Sequence, residues 1–200
     1  MIQKISERIL NYLLTGQVIE NTADDKEYYQ YGIEIIVSSV ISIILIMLIG
    51  VLTKNIVESV IFLICFIPLR QFTGGFHADT YLKCNTSFCI VFLSVLLLYH
   101  ATAKYLHTSI SILIALVCVS AIVVLCPVEH INKPIPENRK MYYKIMAAVL
   151  GSSYGIIGTV LTAFSNMYGS LILYILLLVT ALIVAAKIKP GRCKNEEKQL

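Results

Sequence analysis

The sequence predicts an all-α, polytopic integral membrane protein, with about six transmembrane helices preceded by an N-terminal amphipathic helix. Three observations lead there. Of the 200 residues, 58% are hydrophobic and 14% charged, and the mean hydropathy is +0.80. A water-soluble domain of this length keeps about a quarter of its residues charged, so part of the solvent here is lipid. Apolar runs of bilayer-crossing length recur along the chain, and the basic residues cluster between alternate runs. A single membrane-embedded domain, 1–200, is expected, with 1–32 as its amphipathic start and 187–200 as a basic tail.

The elements follow in order. "MIQKISERILNYLLTGQVIE" places Ile2, Ile5, Ile9 and Leu13 at helical spacing, with Lys4, Glu7, Arg8 and Asn11 mostly off that stripe. Those polar interruptions do not suit a secretory signal. They suit a helix on the inner leaflet or one packed against the bundle. "ENTADDKEYYQYG" leads into the first span, Ile35–Thr53. Asn85–Ala103 and Thr108–Val128 are further uncharged runs; all three hold 19 to 21 residues, which spans a hydrocarbon core of about 30 Å. Ile145–Ala186 is uncharged over 42 residues, room for two spans broken at "SNMYGS", Ser165–Ser170. Ile56–Leu69 has 14 residues, short enough for a re-entrant segment. Glu34 and Glu58 lie near span ends, where a carboxylate reaches interfacial water.

Charge arbitrates the short run. If it crosses, every Lys and Arg of the sixteen except Lys54 and Lys104 falls on one side. Basic residues collect in cytoplasmic loops, so both termini and the 70–84 stretch are expected at the cytoplasmic face of a cell membrane. Without that crossing the partition collapses. Cys65, Cys89, Cys118 and Cys126 lie in apolar runs, where cysteine packs as a small hydrophobe. There is no CxxC pair, and cytoplasmic thiols stay reduced, so no disulfide framework is expected. No internal repeat or nucleotide-binding glycine loop is present. Topology accounts for the basic residues, so no nucleic-acid partner is implied. "GSSYGIIG", with Gly151, Gly155 and Gly158, permits close helix approach, either between copies or within the bundle.

The chemistry-bearing stretch is "RQFTGGFHADTYLKC", residues 70–84. A cysteine with a nearby base can cleave an amide through a thioester, and His77 could serve Cys84 in that way, with Lys83 adding positive potential. Gly74 and Gly75 would let backbone N–H groups approach an oxyanion, and Arg70 could clamp a carboxylate. Within one straight helix, seven residues separate base and nucleophile by about 10 Å, so the chain must fold back or unwind between them, or a neighbouring copy must supply the partner. Ordinary interfacial and packing roles suit the same residues equally well. A metal held by His77, Asp79 and Cys84 lacks an HExxH-like frame, and no cofactor is implied.

The stretch resembles the R-x-x-[TSA]-G-G-x-H-A-x(6)-C signature of the accessory gene regulator B (AgrB) family, membrane peptidases of Gram-positive peptide quorum sensing. "CPVEHINKPIPENRK" is similar to that family's P-V-[ED]-x-x-N-K-P loop, which singles out Asn132, Lys133 and Pro134. The likeness covers nearly the whole chain. It implies a cysteine endopeptidase with Cys84 as nucleophile and His77 as base. Its substrate would be an AgrD-type propeptide, which loses its C-terminal tail and cyclises to a thiolactone or lactone; the family further implies a homodimer. The basic 129–144 segment, with Lys133, Arg139, Lys140 and Lys144, suits either an acidic propeptide tail or topology alone. Pro127, Pro134 and Pro136 argue against a helix through it. A peptide exporter and a non-catalytic membrane scaffold are the rival classes; few ionisable groups inside the spans count against the first.

Overall fold

A computed structural model describes residues 2–16, 23–74, 81–128 and 137–188. Among them the regular elements are α1 (Ile2–Thr15), α2 (Ala23–Leu52), α3 (Ile56–Thr73), α4 (Tyr81–Thr102), α5 (Thr108–Leu125), α6 (Glu137–Ala163) and α7 (Met167–Ile188), with a 3-10 turn at Ala103–Tyr105 after α4. Helices satisfy every interior peptide group within one segment, which hydrocarbon demands. The six helices α2–α7 are long and apolar enough to cross a membrane. On their outer faces large apolar side chains such as Leu48, Leu97, Leu116 and Val124 are exposed, as expected where lipid rather than water is the neighbour.

Several boundaries differ from the sequence expectation, each for a local reason. The short run Ile56–Leu69 is the body of a longer helix that continues through Pro68 to Thr73. Proline removes one helical N–H and frees the carbonyl four residues back. That carbonyl, Ile64 O, faces the Tyr154 hydroxyl of α6 at 3.4 Å. The span expected over Thr108–Val128 ends instead at Leu125, with Cys126 extended at φ −89°, ψ 154°, because a residue preceding proline avoids the helical region. The 129–144 segment is not loop throughout: α6 begins at Glu137, where Glu137 pairs with Lys140 one turn on. The α6–α7 turn is shorter than "SNMYGS". It occupies 164–166, with Ser165 at φ 56° and Asn166 Oδ1 accepting the Tyr168 N–H at 2.9 Å.

One further reading is corrected. Glu34 does not reach out to interfacial water. It is buried, and its carboxylate accepts hydrogen bonds from the Tyr81 hydroxyl (2.7 Å), Ser6 Oγ (3.3 Å) and Gln30 Nε2 (3.4 Å). Helix α1 packs on α2 through Ser6 and Leu10, and Ile5 and Ile9 of its apolar stripe are exposed with Tyr12. The Ser6–Glu34 bond turns the Ser6 face inward.

Helix α7 is the centre of the bundle. Leu171–Leu176, Val179 and Ile183 are buried, and α3, α4, α5 and α6 all pack against it. Between α3 and α4, Phe62 stacks on Phe66 at 5.0 Å between ring centroids and meets Phe92 at 5.0 Å and Phe88 at 5.5 Å. Lipid tails are as apolar as leucine, so helix association rests on such close packing rather than on escape from water. The glycines of "GSSYGIIG" are used inside the chain: Gly151 meets Ile122 of α5, Gly155 meets Val119 and Ala115, and Gly158 abuts Leu173 of α7. All three are buried, so this row is not a surface for self-association.

The helices alternate in direction, which gives the bundle two ends. At one end His100 Nε2 lies 2.9 Å from Asn55 Oδ1, and Glu58 and Tyr99 line a cleft with residues 164–168. At the other, Phe72 packs edge-on against Tyr142 and Tyr143, and Gly74 pairs with Val128. Lys54 and Lys104 belong to the first end, as the six-span reading requires.

A Cβ on Gly158 would stand 2.8 Å from Leu173 Cγ. Gly158→Val is therefore expected to destabilise the bundle by about 1–3 kcal/mol, the usual cost of overpacking, with helix content unchanged; unfolding in detergent followed by circular dichroism measures it.

Candidate active site

Four chain segments meet at the second end: the C-terminus of α3, the first turn of α4, residues 126–128 after α5, and the start of α6. The last turn of α3 supplies Arg70, and the helix stops at Gly74, whose φ of +69° suits glycine alone. A helix end leaves carbonyls without intrahelical donors. Here the Thr73 carbonyl accepts the Val128 N–H at 3.0 Å, and the Gly74 carbonyl accepts a bond from Arg70 Nη1. Gly74 and Val128 form a parallel β-bridge. The described ends of the two motif segments, separate in the sequence, are thus joined through backbone at Thr73, Gly74 and Val128.

Cys84 lies in the first turn of α4 and is exposed, as is Lys83 beside it. The Arg70 guanidinium is within electrostatic reach of both Cys84 and Cys126. The two thiols differ in access, since Cys126 is 5% exposed and packed in the core. A thiol at the start of a helix sits at the positive end of the helix dipole, and a guanidinium nearby adds a second source of positive potential. Of the two, only Cys84 can meet a substrate without unpacking the bundle. Cys65 and Cys118 are also buried and Cys89 is half-buried, in keeping with packing roles.

Of the residues singled out in the sequence, Arg70, Gly74, Lys83 and Cys84 are thus placed together. Gly75, His77, Asp79, Asn132, Lys133 and Pro134 lie outside the described residues, so the separation of His77 from Cys84 is not part of this geometry. Arg139, Lys140 and Lys144 are on the first two turns of α6 rather than in a loop. Among the described residues no group of three or more His, Cys, Asp and Glu side chains gathers as a metal site would.

The sequence reading missed how α2 meets the start of α4. Tyr81 donates to Glu34, and one turn later Asn85 Oδ1 accepts from Ser38 Oγ at 3.0 Å and Ser42 Oγ at 2.9 Å. The available signal was the spacing of Glu34, Ser38 and Ser42, a polar row at every fourth position in a largely apolar helix. Val128 was missed as the partner of Gly74, because a backbone pairing carries no residue-type signature.

A Cβ on Gly74 would come within 2.3 Å of the Val128 carbonyl oxygen. Gly74→Ala must strain or break the bridge and is expected to cost about 1–3 kcal/mol, read as a lowered unfolding midpoint in detergent with the helices retained.

The family model described as Accessory gene regulator B matches residues 6–196. AgrB-like protein 2 of Clostridium perfringens (strain 13 / Type A) is 29% identical over 145 residues, covering 70% of this chain and 67% of the relative. An AgrB-like protein of Clostridium perfringens (strain SM101 / Type A) is similar to the same extent, 29% over 145 residues. No solved structure matches the chain. With six membrane-length helices and a family match over nearly its whole length, the chain belongs to the accessory gene regulator B family and has its place in the agr quorum-sensing system.

Proposed function

We propose that the chain is a membrane cysteine endopeptidase that removes the C-terminal tail of an AgrD-type propeptide and promotes its cyclisation. The observation that carries the reading is the accessible Cys84 thiol at the start of α4, within reach of the Arg70 guanidinium. In this mechanism the Cys84 thiolate attacks the scissile carbonyl, and the tetrahedral oxyanion collapses with expulsion of the tail's amine. His77 takes the thiol proton and delivers it to that amine. The N-terminal part of the propeptide stays on Cys84 as a thioester. An internal cysteine thiol or serine hydroxyl of the propeptide then attacks the thioester and gives its proton to His77; Cys84 leaves as thiolate, and a cyclic thiolactone or lactone results.

Energetic considerations support that order. Exchange of one thioester for another is nearly isoenergetic, so cleavage itself provides the activated carbonyl. An internal nucleophile held on the same chain has a high effective molarity over external competitors, and a site at the membrane boundary limits competing water. The Gly74–Val128 bridge favours joint action of the two motif segments. Charge placement supports a cytoplasmic location for both termini and this end, where the cationic start of α6 would meet an acidic propeptide tail.

The decisive experiment uses purified full-length protein in detergent, without any gradient, and a propeptide with an amphipathic start, an internal cysteine or serine and an acidic tail. Wild type is expected to release the tail. Cys84→Ala and His77→Ala are each expected to abolish release while inserting into membranes normally, and mass spectrometry should capture the N-terminal fragment on Cys84. Undiminished cleavage by Cys84→Ala would overturn the proposal. Translocation that needs a gradient, without cleavage, would favour an exporter.

A further inference from the structure

We propose that the polar row Glu34–Ser38–Ser42 on α2 is a positioning device that fixes the rotation and depth of α4 and thereby aims Cys84. The inference rests on the reading of Cys84 as the nucleophile. Glu34 and Ser38 are buried with Asn85, at 8%, 7% and 7% exposure. Three hydrogen bonds connect the row to α4: Tyr81 to Glu34 at 2.7 Å, Ser38 to Asn85 at 3.0 Å, and Ser42 to Asn85 at 2.9 Å. Tyr81 and Asn85 are one turn apart on α4, on the same face, and they bracket Cys84.

The spacing makes the grip selective. Both rows repeat every fourth residue, so each partner on α2 meets its partner on α4 in one register. Sliding α4 by a turn, about 5.4 Å, would leave the Glu34 carboxylate and the Asn85 amide without these partners at membrane depth, where unsatisfied polar groups are costly. Rotating α4 would break all three bonds together. At about 100° per residue, Cys84 stands roughly 60° around the helix from Tyr81 and 100° from Asn85. With those two side chains turned to α2, the thiol is turned away from it, which accounts for a buried Asn85 directly beside an exposed Cys84. Glu34 also takes Ser6 of α1, so the same carboxylate ties the N-terminal helix to the aim of the nucleophile.

None of these side chains touches the substrate in this scheme; they act through Cys84. The signature of such a role is loss of kcat with KM preserved, and rescue by a residue that keeps the acceptor. The test takes the full-length protein and the propeptide processed in the experiment above. Ser38→Ala/Ser42→Ala removes both donors to Asn85 with little change in volume, and Glu34→Leu removes the acceptor for Tyr81. Each is expected to lower kcat by on the order of 10- to 100-fold, the effect of an ångström-scale misplacement, with KM within about twofold, assayed below each variant's unfolding transition. Glu34→Gln, which retains a carbonyl acceptor, is expected to recover kcat to within about threefold.

Wild-type kcat in both Glu34→Leu and Ser38→Ala/Ser42→Ala, alongside an inactive Cys84→Ala, would overturn the positioning role and leave the peptidase reading standing. So would a loss confined to KM, or a Glu34→Gln variant as impaired as Glu34→Leu. Full activity in Cys84→Ala would overturn both readings together.

Discussion

Every peptide group in this chain that lies in hydrocarbon must find a partner within the protein, and the rest of the architecture follows from that constraint. It admits helices across the membrane and leaves irregular backbone to their ends. Where a helix is interrupted, a specific group steps in. The Ile64 carbonyl released by Pro68 meets the Tyr154 hydroxyl. The carbonyls released where α3 stops are taken by Val128 and Arg70. The second repair builds the candidate active site, because satisfying the end of α3 draws in residues 126–128 and places the Arg70 guanidinium near Cys84.

Packing supplies the frame on which that end rests. Between helices in lipid there is no gain from escaping water, so contact quality decides association. The buried centre of α7, the stacked phenylalanines of α3 and α4, and the glycine row of α6 each bring helix surfaces into dispersion range. Polar contacts between membrane helices average only about 0.6 kcal/mol apiece. Their influence is therefore greater on register than on stability: a Glu34 or Asn85 out of register is penalised far more than one in register is rewarded.

These two kinds of interaction divide the labour at the site. Backbone repair fixes Arg70, Gly74 and Val128 relative to one another. The side-chain row on α2 fixes the first turn of α4. Cys84 is exposed at the N-terminal end of its helix within electrostatic reach of Arg70, while Cys126, also within that reach, is packed away in the core. The two thiols thus differ in access, which residue type alone does not show.

Fold class, six membrane-length helices, the amphipathic start and family membership were all legible in the sequence, because hydropathy, charge spacing and motif are properties of the chain itself. Arg70 and Cys84 were legible as members of one polar stretch, but in sequence Arg70 reads as a carboxylate clamp rather than as a charge beside the thiol. Helix ends were less legible: Pro68 reads as a stop, yet α3 continues because a tyrosine on another helix accommodates it. The faces were hidden too. The apolar stripe with Ile5 and Ile9 suits leaflet or bundle alike, and it is Ser6 and Leu10 that pack inward; the "GSSYGIIG" glycines, open to either use in sequence, are spent on α5 and α7. What the sequence by itself determined is which segments are apolar enough to cross a membrane and which residues are the candidates for chemistry. Only the tertiary structure decided which partners satisfy Glu34, Asn85 and the end of α3, because a hydrogen bond between helices depends on rotation and depth that no single helix specifies.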